Sequence, residues 1–148
     1  MATKTSINKQ PPHSAEYGNA SVFTDSMAVL AADIALASII QLCKIPAGTL
    51  VDRVVVNATD MDTGVTPLLA SNIGFSNTDG SASAAGDATS VATASIVGQA
   101  AGTVAIEVFP PFMCEQDKWL TLVVTAAPAT AAAGTFSAKV EGSARGVR

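Results

Sequence analysis

Strict two-residue alternation in the last third of the chain constrains the fold most. Lys118 to Ala126 puts Leu120, Leu122 and Val124 on one side and Thr121, Val123 and Thr125 on the other. Thr135 to Glu141 repeats the pattern, with Phe136, Ala138 and Val140 inward and Ser137, Lys139 and Glu141 outward. An extended chain sends successive side chains to opposite faces, so both segments read as half-buried strands. The stretch between them, residues 127–134, is expected to join them as a hairpin with a long loop. Thr103 to Phe109 gives a further strand, with Val104, Ile106 and Val108 on one face. Pro110-Pro111 is expected to end it, because proline offers no N–H to a ladder.

Upstream, Ser38 to Ile45 is an almost unbroken apolar run that suits a strand buried on both faces. Pro46-Ala47-Gly48 follows as a tight turn. Leu50 to Ala58 is rich in β-branched residues and reads as the next strand. The Asp60–Gly64 segment closes it as a loop, and Thr66 to Phe75 is a strand with Leu69, Ile73 and Phe75 on one side. Residues 27–36 have the composition for one or two helical turns. Residues 76–87 form a Ser, Ala and Gly loop. From Asp87 to Val97 a short capped helix competes with a strand. Short strands separated by Gly and Pro turns predict an all-β fold, a β-sandwich or jelly roll of one domain over residues 25–148, with room for one short helix. Residues 1–24, with Pro11, Pro12 and Gly18, read as an extended N-terminal arm, either a disordered tail or an arm ordered by a neighbouring subunit.

The chain of 148 residues is long enough for a real core. Only 14% of it is charged, against about a quarter in most globular domains. Either other subunits cover much of the surface, or hydroxyl groups replace charge on it. The net charge of −4 and the scattered lysines and arginines argue against direct binding of nucleic acid, which needs clustered cations. Met27 to Cys43 approaches a membrane span in length, but Asp33 near its centre makes that costly, and no membrane partner is expected. The first fourteen residues are polar and show no secretory signal, which leads to an expectation of an intracellular product or one released by lysis.

Few residues suggest chemistry. The single histidine, His13, lies in the arm, and no nucleophile elbow, phosphate loop or zinc helix occurs. No catalytic residue, metal site or cofactor is therefore expected. Cys43 and Cys114 read as reduced, buried thiols in preference to a disulfide. Asp60 and Asp62 offer spaced carboxylates, yet Ser71 stands where a calcium loop needs its twelfth-position Glu, so a plain turn is expected. Three large apolar residues are candidates for partner contact. Tyr17 and Phe23 are large apolar groups of the arm, and Trp119 starts a strand either as core or as a subunit anchor.

Leu42–Asp52 with its Ile45-Pro46-Ala47-Gly48 turn, the Thr59–Gly64 loop, and the Leu120–Thr125 strand followed by Ala131–Thr135 form an ordered set. Spanning roughly residues 36 to 142, that set resembles the capsid decoration, or cement, proteins of tailed bacteriophages. The resemblance implies a non-enzymatic virion protein made in the host cytoplasm and seated on the capsid exterior. It also implies a homo-oligomer, a trimer before a dimer, whose partner is the major capsid protein and which stabilises the shell against the pressure of its DNA. An adhesion or carbohydrate-binding β-module of a phage head or tail fibre is the alternative, and a small hydrolytic enzyme a remoter one.

Overall fold

The computed structural model describes residues 3–5, 20–78 and 91–145. Nine strands lie in chain order: β1 Thr3–Thr5, β2 Ala20–Val29, β3 Ile39–Ile45, β4 Thr49–Ala58, β5 Ala70–Asn77, β6 Ala92–Ser95, β7 Gly102–Cys114, β8 Lys118–Ala126 and β9 Gly134–Ala144. One sheet runs β1-β3-β8-β5-β6 and the other β2-β9-β4-β7. From β2 onward, the eight main strands divide four and four between two sheets in the double Greek-key order of a jelly roll. The all-β sandwich expected from alternation is therefore the fold, and β1 adds to it by pairing parallel with β3.

The core lies between the sheets and is built from the faces that alternation identified. Leu120, Leu122 and Val124 of β8 and Phe136, Ala138 and Val140 of β9 are all buried. Phe75 stacks on Phe112 with ring centroids 4.6 Å apart, closing one end of that interior. The unbroken run of β3 is explained by a bulge between Gln41 and Cys43, where Leu42 is an extra residue and alternation breaks.

Several expectations are corrected. β8 and β9 do not form a hairpin: β8 pairs with β3 and β5, and β9 with β2 and β4. Their apolar faces oppose each other across the core, so residues 127–133 must cross from one sheet to the other. β7 does not stop at Pro110-Pro111. It continues to Cys114, and four residues, Val108 to Pro111, stand against Asp52 of β4 in a wide bulge. That bulge pushes Phe109 into solvent, 93% exposed. Over Asp87–Val97, where helix and strand competed, the described part is strand β6 and a turn, so the strand alternative holds there. Residues 27–29 continue β2, and only Ala31–Ile34 form a single 3-10 turn. The fifth strand starts at Ala70, four residues later than Thr66, because residues 66–69 are held in a loop. β2 begins at Ala20, so residues 20–24, read as the end of the arm, belong to the sandwich.

Candidate interaction surface

In this topology the β2–β3, β4–β5, β6–β7 and β8–β9 loops gather at one end of the sandwich, and Asp62 organises that end. The Asp62 side chain is buried and accepts backbone N–H groups with both oxygens. Oδ2 takes Leu68 at 2.6 Å and Leu69 at 2.9 Å, while Oδ1 takes Thr130 at 3.0 Å and Gly64 at 3.4 Å. One carboxylate thus ties the β4–β5 loop to itself and to the β8–β9 loop. Burial alone would raise the Asp62 carboxyl, but the donors from Thr130, Leu68, Leu69 and Ala129 outweigh it and hold the group below the usual carboxylate range. Its oxygens are turned to the protein's own backbone, and they hold the Asp60–Gly64 segment in its loop. Among the described residues no cluster of three or more His, Cys, Asp or Glu side chains is arranged around an ion.

Further bonds knit the loops together. Met61 donates its N–H to the Gly98 carbonyl at 2.9 Å, and Ala132 donates to the Met61 carbonyl at 3.0 Å. The Gln99 amide donates to the Leu69 carbonyl at 2.9 Å. Gly98 has φ +96, and a Cβ there would lie 2.9 Å from the Met61 methyl, so glycine is required by both backbone and space. In the β2–β3 loop, Asp33 accepts from the Leu30 N–H at 2.8 Å and pairs with Lys4. The Lys4 ammonium and then the Leu30 N–H lower the Asp33 carboxyl.

This ordered end presents apolar side chains outward. Of seven large hydrophobic side chains exposed among the described residues, five are here: Leu30, Leu36, Val65, Leu68 and Ile96. Their exposure runs from 55% at Leu68 to complete at Val65. Leu36, Leu68 and Ile96 adjoin the ends of β3, β5 and β6, which follow one another in the sheet with only β8 intervening. With strands about 4.8 Å apart they make a row roughly 15 Å across. The four loops contain Asp33, Asp60 and Asp62 and no Lys or Arg. The opposite end differs. There Lys44 pairs with Asp117 at 2.9 Å, Lys118 reaches Asn77, and the described loop residues expose no large apolar side chain, Val22 and Phe109 lying on β2 and on the β7 bulge. The outer face of the β2-β9-β4-β7 sheet is a charged and hydroxyl ladder, with Arg53 between Glu107 and Glu141 and Ser26 against Ser137.

The three residues expected from sequence to contact partners do not come together here. Tyr17 lies outside the described residues. Phe23 pairs in register with Val140 and is 2% exposed in the chain's own core. Trp119 faces away from that core, in register with Lys44 and Ser76, and is 8% exposed. The five residues of the apolar end were not singled out by periodicity. Their signal is an aliphatic residue inside a turn: Val65 after Gly64, Leu68 after Pro67, Ile96 two residues before Gly98.

The fold has solved counterparts. The chain is similar to one from the capsid asymmetric unit of cyanophage Pam1, with a TM-score of 0.71, 26% identity and 93% of each chain covered. It is also similar to one from the capsid of Ralstonia phage GP4, with a TM-score of 0.78, 24% identity, and 100% of this chain and 99% of that one covered. No protein-family model matches the sequence, and no curated protein matches it. Near-complete coverage in both directions means that the whole jelly roll is shared. The likeness to the Pam1 chain supports a structural protein of a phage virion.

Proposed function

We propose that this protein is a capsid decoration protein, which binds the outside of an assembled phage head as a homo-oligomer and stabilises it. The observation that carries the reading is the full-length likeness to a chain of the Pam1 capsid asymmetric unit. The physics of such a role needs no catalytic group. A protein that binds only the assembled shell shifts the assembly equilibrium by mass action. Many copies, each with a modest interface, give a large total. Low charge supports self-association, since a surface with few ionised groups loses little hydration on burial. The major capsid protein is the partner this reading requires, and a trimer is the oligomer it favours. Among the described residues nothing on the exposed surface favours a sugar-binding module. Such sites present aromatic platforms, and Phe109, on an edge-strand bulge, is the one aromatic among the exposed large apolar side chains described.

The test uses heads from a phage lacking this gene. Added purified protein should co-sediment with expanded heads and appear on their exterior by electron cryomicroscopy. In solution it should have three times the 14.8 kDa chain mass. Decorated heads should retain DNA at temperatures where bare heads lose it. Failure to co-sediment with heads would sink the proposal.

A further inference from the structure

We infer that the apolar end carrying Leu30, Leu36, Val65, Leu68 and Ile96 is the face that seats on the coat shell, against a coat-protein surface that is apolar with a basic rim. The inference rests on the decoration reading above and assigns its docking surface.

Three observations lead there. The first is concentration: exposed aliphatic residues gather on loops at one end, while the other end is polar and ion-paired. A molecule polarised along its strand axis is suited to standing on a surface by one end, and contiguous apolar exposure marks interaction sites. The second is rigidity. Val65 and Leu68 project from a loop that the Asp62 carboxylate clamps through the N–H groups of Gly64, Leu68 and Leu69. Their exposure is built in by buried hydrogen bonds, and a preformed surface loses less entropy on binding. The third is charge. The four loops hold no cations of their own; Lys4 pairs with Asp33 and Asp62 is buried on backbone donors, which leaves Asp60 as their exposed, unneutralised carboxylate. Two copies docking end to end would bring Asp60 towards its counterpart and leave the repulsion uncompensated. A partner offering Lys or Arg around an apolar groove complements the same surface. That favours the coat over a second copy as the occupant.

The experiment compares the intact protein with a variant carrying Val65→Glu and Leu68→Glu. Both side chains point to solvent, so the fold should survive. A second variant, Leu36→Glu with Ile96→Glu, tests the other half of the row. Val22→Glu, on the outer face of β2, serves as the control. The probe is binding to purified expanded heads that lack the protein. Each end variant should lose roughly tenfold or more in head affinity while keeping wild-type solution mass and melting temperature, and the control should bind as wild type. Wild-type binding by both end variants overturns the inference and leaves the decoration reading standing. Loss of head binding together with dissociation of the oligomer also overturns it, since the end would then be a contact between copies. If the unmodified protein fails to bind heads, the decoration reading itself fails.

Discussion

Asp62 Oδ2 accepts the backbone N–H of Leu68 at 2.6 Å, joining a buried carboxylate to an exposed leucine. The polar bond inside and the apolar side chain outside belong to one device. The bond satisfies a loop N–H that the sheets leave without a ladder partner, and the loop so held presents Leu68 and Val65 to solvent. The stability of the fold and the shape of the proposed docking end are therefore coupled through one residue.

Replacing Asp62 by Asn tests that coupling. Asn keeps one acceptor oxygen and sets an NH2 where the other stood, so either the Leu68 and Leu69 N–H groups or those of Thr130 and Gly64 lose their acceptor and face a donor. The melting temperature at neutral pH should fall. The pH dependence follows from the direction of the shift. Asp62 is held below its ordinary value, so its contribution is complete above the unfolded value, about 3.9. It is lost as pH falls below that and through the folded value. Thermal melts at neutral pH and near pH 3 should show a smaller acid loss for Asp62→Asn than for wild type. Asp33, Asp117 and Glu141, also lowered, should keep some acid sensitivity in both.

Phe23 distinguishes core from contact. It is 2% exposed and opposite Val140, so Phe23→Ala should cost about 3–5 kcal/mol of stability in the isolated protein. Urea unfolding measures it. A residue acting only in partner contact would leave the urea midpoint unchanged and weaken assembly alone.

Gly142 marks a place where backbones touch. It faces the bulge of β4, and a Cβ there would lie 2.2 Å from the Leu50 carbonyl oxygen. Backbone cannot swing aside as a side chain can. Gly142→Ala should lower stability by about 3 kcal/mol, read as a drop in the urea midpoint with the slope retained.

The two thiols, Cys43 and Cys114, are buried and are not joined in a disulfide. Burial, helped by the nearby Asp25 charge, pushes the Cys43 thiol up to about 12, so almost no thiolate is present at neutral pH. A thiol reagent at neutral pH should label neither in the native protein and both in denaturant. Rapid labelling of native protein would contradict this burial.

Attachment to heads should respond weakly to salt. The docking end is mainly aliphatic, and screening acts on charge pairs, with a Debye length near 10 Å at 0.1 M, rather than on apolar burial. Co-sedimentation should change less than roughly threefold between about 0.1 and 0.5 M salt. Release of the protein over that range would show that ion pairs hold it.

Much of the architecture was legible because sheets write themselves into sequence with a period of two. Leu120, Leu122 and Val124, and Phe136, Ala138 and Val140, were readable as inward faces before any strand was paired. The turn at Pro46-Ala47-Gly48 and the strands around it were equally plain. Pairing was not legible. Alternation states which face is apolar but not which strand lies alongside, so β8 and β9, neighbours in sequence, read as a hairpin although they belong to opposite sheets. Bulges were hidden for the same reason. Whether Pro110-Pro111 ends a strand or is carried around a bulge depends on what Asp52 of β4 leaves room for. The docking end was the least legible. Leu30, Leu36, Val65, Leu68 and Ile96 are scattered over 67 residues of chain, from 30 to 96. The chain by itself determined strands and core faces, because these depend on local spacing and residue type. Only the tertiary structure decided that five separate aliphatic residues share one surface, because that depends on which loops the jelly roll brings to the same end.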